Sequence, residues 1–313
     1  MVNFIVRRFL VSIPILLTVV TLVFILVRSM PGGPAVAILG DYASKETIEA
    51  LEAEMGLDAP LWLQYLRFLE GLLRGDLGKS MINSLPIAPQ IARVLPYTLE
   101  LTIGAILFGV IFGIPLGVLT ALKRNTAFDY LGRIFSLSGI SVPSFFLGIL
   151  LMLLFSITLD LFPVMGGGDI HELSDNLYHL FLPTLTLGML MTAYITRTTR
   201  SSVLNVLQED YVRTARAKGL REKTVIYGHA LRNALLPVVS FIGVYAILLI
   251  GSSVLVEVVF SRPGLGKMMI GAIKQRDYIT LQSVMVVYAS LVVLINLLTD
   301  LSYGVIDPRI RYK

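Results

Sequence analysis

The sequence has no cysteine among its 313 residues, which excludes a disulfide framework, a thiolate metal site and a cysteine nucleophile. Charge is scarce too. Asp, Glu, Lys and Arg make up 15% of the chain, against about 25% in soluble domains. The three histidines, His171, His179 and His229, are too scattered to form a ligand set, and His171 and His179 lack a carboxylate partner at metal-binding spacing. No G-x-x-x-x-G-K-[ST] phosphate loop is present, so the chain does not bind and hydrolyse ATP by that route.

What fills the chain instead is apolar sequence, 55% of the residues. Five long runs carry no charge: Phe9–Val27, Leu101–Leu122, Ile134–Leu159, Ala234–Val256 and Tyr278–Thr299. A sixth, Leu180–Thr196, has 17 residues, the lower limit for crossing roughly 30 Å of hydrocarbon. A soluble core helix is rarely apolar on every face for 20 residues, and five such runs argue against a soluble fold. The expected class is all-α, a polytopic membrane protein with six transmembrane helices. Arg7 and Arg8 precede the first run as they would in a secretion signal. That run exceeds the usual h-region and no small-x-small cleavage pattern follows it, so it reads as a retained helix.

Basic residues set the expected orientation. With both termini cytoplasmic, the inner segments hold Arg7, Arg8, Lys123, Arg124, Arg133, eight basic residues between Arg197 and Arg232, and Arg309, Arg311 and Lys313. These are 16 of the 26 Lys and Arg. The outer segment Asp160–His179 has none, whereas Arg262, Lys267, Lys274 and Arg276 dissent from the rule. The expected division is an N-terminal span over 1–30, an extracytoplasmic helical segment over 31–97, and a five-helix core over 98–313. That core includes a cytoplasmic loop at 200–235. In the outer segment, Ile48, Leu51 and Met55, then Leu61, Tyr65, Phe68, Leu69 and Leu72, have helical spacing. Pro31-Gly32-Gly33-Pro34 ends the first span, and Gly75-Asp76-Leu77-Gly78 stops the second amphipathic stretch. Such surface helices either cover helix ends or dock an extracytoplasmic partner.

Within the spans, Pro115, Pro143, Pro183 and Pro237 need neighbours that satisfy freed carbonyls. Gly109, Gly113 and Gly117 share one helix face and permit close approach of another helix. No Asp, Glu, Lys or Arg falls mid-span; Glu100, Glu257 and Asp300 sit at span ends, and Gln282 and Asn296 are the main amides within. A charge at the bilayer centre costs about 2.5–3.5 kcal/mol and usually marks a proton relay or ion site. Its absence argues against a proton-coupled carrier and an intramembrane enzyme.

The most informative stretch is the loop after the fourth run. Val203, Leu207, Tyr211 and Ala215 fall at four-residue spacing, and Gly219 follows a basic turn of Arg213, Arg216 and Lys218. That pattern suits a helix C-terminus with a left-handed glycine cap. A second short helix is expected around Lys223–Arg232. Two explanations compete: a basic loop held near anionic lipid, and a docking helix whose small residues Thr214, Ala215, Ala217 and Gly219 suit a partner's groove.

Tyr211-Val212-Arg213-Thr214-Ala215-Arg216-Ala217-Lys218-Gly219, followed by His229-Ala230-Leu231-Arg232-Asn233-Ala234-Leu235-Leu236-Pro237, resembles the EAA loop of binding-protein-dependent ABC import permeases. The nearer resemblance is to the B-type permease of the dipeptide, oligopeptide and nickel group. Arg213-Thr214-Ala215 stands where the general pattern has Glu-Ala-Ala, so no acidic anchor is expected at Arg213. Further likeness lies in Gly56-Leu57-Asp58-Ala59-Pro60-Leu61, Gly75-Asp76-Leu77-Gly78-Lys79-Ser80, Pro263-Gly264-Leu265-Gly266, Arg276-Asp277-Tyr278 and Asp307-Pro308-Arg309-Ile310-Arg311. Gly33 and Arg262 depart from the family's frequent Asp and Trp.

The resemblance implies a type I importer permease fold in a bacterial or archaeal cytoplasmic membrane. It implies a second homologous permease, two ATPase subunits that hold ATP and Mg, and an extracytoplasmic substrate-binding protein, all in membrane lipid. This chain would hold no cofactor, metal or catalytic residue of its own, and no nucleic-acid partner is expected. Asp210, Tyr211, Thr214, Ala215, Arg216, Ala217, Lys218 and Gly219 would form the coupling site for the ATPases. Di- or oligopeptide is the first choice of cargo, with nickel chelates or glutathione-like peptides as alternatives; the pathway residues have no sequence signature. A channel or carrier working alone is the rival class.

Overall fold

The computed structural model describes residues 2–29, 35, 36, 39, 43–54 and 56–306. Pro31-Gly32-Gly33-Pro34, Met55, Asp307-Pro308, Arg309, Arg311 and Lys313 lie outside the described residues. Among the described residues the chain is helical, and its only sheet-like pairing is the single bridge Lys79–Pro86. The helices are α1 (Val2–Arg28), α2 (Lys45–Glu54), α3 (Leu61–Leu73), α4 (Ile87–Leu122), α5 (Ala127–Ser141), α6 (Ser144–Met152), α7 (Leu173–Val206), α8 (Asp210–Ala217), α9 (Leu231–Val259), α10 (Leu265–Gln275) and α11 (Tyr278–Ile306). A π-helical turn, Leu153–Thr158, prolongs α6, and another, Thr224–Ala230, leads straight into α9.

Among the described residues, five helical stretches are long and apolar enough to cross a membrane: Val6–Arg28, Ile87–Leu122, Leu173–Val206, Thr224–Val259 and Tyr278–Leu301. The remaining expected span, Ile134–Leu159, falls in a bent pair. α5 and the stretch Ser144–Thr158 meet at 103°. The cause is local. Val142 is extended (φ −86°, ψ 125°) before Pro143, whose ring disfavours helix at the residue ahead of it. The short helix expected around Lys223–Arg232 is instead continuous with the fifth span.

The chain forms two compact units. The first comprises Tyr97–Arg262 with the stretch from Ile295 on. Its centre is α7, the least apolar of the spans and the most buried. Leu182, Leu187, Met191 and Ile195 of α7 meet Leu101 and Ala105 of α4 and Val238, Leu249 and Val256 of α9. The glycine stripe explains how closely α4 lies against α7. A Cβ built on Gly109 would collide with Met191, one on Gly113 would lie 2.8 Å from Ile195 Cβ, and one on Gly117 would lie 2.5 Å from Thr199 Cβ. The face read from sequence as a helix contact is therefore an internal one. Gly139 against Ala193 repeats the arrangement between α5 and α7.

The second unit comprises Val6–Pro96 and Pro263–Leu294. Phe68, Leu69 and Leu72 of α3 pack on Val20, Val23 and Val27 of α1 and on Tyr278 and Val286 of α11, while Phe24 stacks on Phe68. Leu61, by contrast, is exposed together with Trp62 and Leu66. Two segments far apart in sequence interlock here. Asp277 is buried ahead of α11, accepting from Thr280 N at 3.1 Å and Thr280 Oγ1 at 2.7 Å as a helix cap. The same carboxylate accepts from Ser80 Oγ at 2.6 Å and Met81 N at 3.2 Å. Ser283 Oγ donates to Leu77 O at 2.7 Å. Gly75 ends α3 with φ +74°, a conformation a side chain would oppose.

The α4–α7 approach yields a prediction. Gly117→Leu overpacks the contact and costs about 1–3 kcal/mol, lowering the apparent Tm of the purified protein. Gly251→Ala, in α9 with nothing within 4 Å of the added Cβ, leaves it unchanged or slightly raised.

Candidate functional site

The loop between α7 and α9 is the candidate site, and its geometry begins with a break. α7 ends at Val206, and Leu207, Gln208 and Glu209 turn the chain before α8 starts at Asp210. The stripe Val203–Leu207–Tyr211–Ala215 is therefore not one helical face. In its place, Val212 and Ala215 of α8 are buried against Val225 and Ala230, with Val206 and Leu207 packed alongside. Asp210, Tyr211, Thr214, Arg216, Ala217, Lys218 and Gly219 are exposed. Ala215 alone of the eight expected coupling residues points inward, because helical spacing from Val212 puts it on the apolar side.

Polar contacts fix the orientation of α8. Asn233 Nδ2 donates to Tyr211 Oη at 2.9 Å, tying α8 to α9. Thr214 Oγ1 donates to Asp210 O at 2.9 Å. Asp210 lies in the first helical turn, where a carboxylate meets the positive dipole end. Gly219 takes φ +78° just past the helix, the left-handed conformation expected from the sequence, with nothing within 4 Å of an added Cβ. Beyond that turn, Arg216 grips Glu222 through two bonds, Nε to Oε2 at 3.2 Å and Nη2 to Oε1 at 2.7 Å. The hydrogen bond from Arg216 holds the Glu222 carboxyl below its ordinary value, and Glu222 in turn raises Arg216. Both side chains are exposed, so the pair shapes the turn more than it stabilises the fold. Glu222 was missed from sequence because the pair spans the glycine turn, where helical charge spacing gives no signal.

A second polar constellation lies in the same unit at the other end of α7. Arg262, one of the four dissenting cations, is fully buried (0% exposed). Its Nη2 donates to Glu100 Oε2 at 2.8 Å and Asn176 Oδ1 at 3.2 Å, and its Nη1 donates to Gly167 O at 3.1 Å. The guanidinium carbon lies 5.0 Å from the centre of the Tyr97 ring. Burial lowers the Arg262 pKa, opposed first by the Glu100 charge and then by Tyr97 and Glu257. Glu257 is buried beside them and accepts from Thr98 Oγ1 at 2.7 Å. One arginine thus joins α4, the 167 turn and α7 where α9 ends. Its positive charge is matched inside the protein, which removes part of its dissent from the basic-residue bias.

Residues 113–312 match the family described as "Binding-protein-dependent transport system inner membrane component", and residues 1–102 match the N-terminal part described for such proteins. The chain belongs to this family. It is a permease of an ABC importer, a multi-pass inner-membrane protein without a catalytic role, ATP hydrolysis being the work of partner ATPases. The permease is 43% identical over 313 residues to the glutathione transport system permease protein GsiC of Pectobacterium atrosepticum, covering 100% of both chains. It is 41% identical to the protein of that name from Escherichia coli K12, with the same coverage. Among solved structures it resembles the MetNI methionine ABC transporter in an inward-facing conformation. The TM-score is 0.56 at 19% identity, over 70% of this chain and 96% of that one. An amino acid ABC transporter gives a TM-score of 0.53 at 16% identity, over 69% and 94%. These two likenesses carry the fold alone. The family implies in general terms a partner permease, ATPases and a binding protein. The relatives' names carry glutathione, given above as an alternative, where di- or oligopeptide stood first.

The buried arginine of this permease gives a prediction. Arg262→Gln strands the Glu100 carboxylate and destabilises the permease by on the order of 2 kcal/mol, less than a fully buried pair because Glu100 is 28% exposed. The double variant Glu100→Gln/Arg262→Gln recovers part of that loss. Thermal unfolding of the two variants beside the parent checks both outcomes.

Proposed function

We propose that this permease carries glutathione, or a short peptide closely similar to it, into the cell. The observation that supports this reading is the full-length identity of 43% to a glutathione permease, with no end of either chain left over. On this reading it forms half of the translocation pathway with a second homologous permease. An extracytoplasmic binding protein presents the cargo, and two ATPase subunits supply ATP and Mg from the cytoplasmic side, where both termini lie.

The loop is the handle for those ATPases. The exposed side of α8, with Tyr211, Thr214, Ala217 and Lys218, sits in an ATPase groove, while buried Val212 and Ala215 hold the helix to the start of α9. Arg216 and Gly219 shape the turn that presents it. Nucleotide-driven closure changes alternating access only if the groove holds α8 unequally in its two arrangements. The long uncharged runs hold no carboxylate to couple a proton gradient, which supports a drive that comes through this handle.

Uptake decides the cargo. The transporter assembled with its binding protein and ATPases accumulates labelled glutathione in an ATP-dependent manner, and excess unlabelled glutathione suppresses it. Accumulation of a dipeptide or a nickel chelate with glutathione ignored would sink the assignment. The handle is tested apart from the cargo by Gly219→Val, which imposes about 1 kcal/mol of strain at a left-handed position. The variant reaches the membrane at the parent level, but transport and substrate-stimulated ATP hydrolysis fall several-fold. Parental rates for both would remove the loop from the mechanism.

A further inference from the structure

Between α5 and α7, near the end of α7 that leads into the loop, lies a cavity of about 270 Å³ lined by Arg133, Ser136, Leu137, Arg197 and Arg200 among others. Its charge is unbalanced. Asp129, fully buried at the start of α5, accepts from Arg200 Nε at 2.6 Å and Nη2 at 2.9 Å, and from Asn125 N at 3.0 Å. Arg133 Nε approaches the same carboxylate at 3.7 Å, beyond hydrogen-bond distance. One carboxylate, already saturated by Arg200, therefore stands against three guanidinium groups. Arg197 makes no ion pair among the described residues.

The cavity also holds unused donors. Ser136 is 3% exposed, and its hydroxyl has no hydrogen-bond partner. Arg133 Nε is likewise buried and unbonded. A buried donor without a partner is destabilising, and a ligand with several acceptor oxygens would satisfy it. Two excess positive charges and an unbonded hydroxyl together select a phosphate rather than a neutral or cationic group.

The surroundings identify the source of that phosphate. Leu137 lines the cavity and is exposed together with Ile134, where the uncharged run Ile134–Leu159 begins, an apolar track on the same helix. Arg133 lies over the Tyr130 ring at 4.4 Å and Lys123 over the Phe128 ring at 4.1 Å. Cations on aromatic rings beside an apolar helix face are the arrangement of a membrane–water interface. A freely soluble anion has no use for the track; a phospholipid uses both parts.

We infer that this cavity binds the phosphate of an anionic phospholipid, with Arg133, Arg197 and Ser136 contacting the headgroup and the exposed face of α5 carrying an acyl chain. Arg200 positions the site by neutralising Asp129 and holding α5 to α7. The inference is independent of the cargo and of the loop's role.

Native mass spectrometry of the detergent-purified transporter, titrated with phosphatidylglycerol, phosphatidylcholine or inorganic phosphate, tests it. The parent retains phosphatidylglycerol about tenfold more strongly than phosphatidylcholine, and Arg133→Gln/Arg197→Gln, which removes the cations that attract the headgroup, abolishes that preference. Ser136→Ala, which removes no charge, weakens retention less and covers the case in which the double variant fails to fold. Equal retention of the two lipids by the parent, or a preference unchanged in the variants, overturns the inference. Displacement of phosphatidylglycerol by millimolar inorganic phosphate overturns the lipid source in favour of a free-anion site.

Discussion

The close approach of α4 to α7 is the constraint on which the first unit depends. Inside a bilayer, lipid tails are as apolar as leucine, so helices gain little from hiding apolar surface against one another. What holds them is contact at short range. Gly109, Gly113 and Gly117 provide it by removing side chains opposite Met191, Ile195 and Thr199. The approach also brings polar atoms into use. Thr196 Oγ1 donates to Gly113 O across the interface at 3.3 Å, and Ser202 Oγ donates to Ala234 O at 2.7 Å, joining α7 to α9. The threonines of α7 sit on its protein-facing side, where Thr186, Thr192, Thr196 and Thr199 are buried.

The charged residues divide along the same lines. Two arginines have a carboxylate in reach: fully buried Arg262 with Glu100 at one end of α7, and half-buried Arg200 with Asp129 at the other. Arg200–Asp129 joins α7 to α5, and Arg262, in the turn after α9, bonds α7 through Asn176 as well as Glu100 of α4, so each arginine fixes one end of α7. In the second unit Asp277 plays the comparable part through hydroxyl and backbone donors. Buried charge in this molecule is arranged to join segments, which is the use that repays its desolvation.

Much of the fold was legible because hydrophobicity reports contact with lipid. The strong runs in α1, α4, α9 and α11 are mostly left unburied by the rest of the chain, and their positions hold in the structure. The same logic explains where reading faltered. α7 looked like the weakest span because it is the most enclosed, and protein-facing positions tolerate Thr and Gly. The run Ile134–Leu159 carried Pro143 in plain view, but a proline in a membrane helix fixes neither the size of a bend nor its direction. In the loop, the glycine cap at Gly219 was readable from local chemistry. The inward turn of Ala215 was not, because it follows from a helix break at 207–209 that has no proline or glycine to announce it. Pairings such as Arg262 with Glu100 and Ser80 with Asp277 bridge 162 and 197 residues, and no single-sequence periodicity reaches so far.

The seat of α8 has a mechanical consequence. Val212 and Ala215 press on Val225 and Ala230, which belong to a π-helical turn that continues into α9 without a joint. Sliding α8 off that turn would open a void among close-packed side chains and break the Asn233–Tyr211 bond. Turning the two together does neither. The short helix and the long one are therefore built to move as a crank and its shaft.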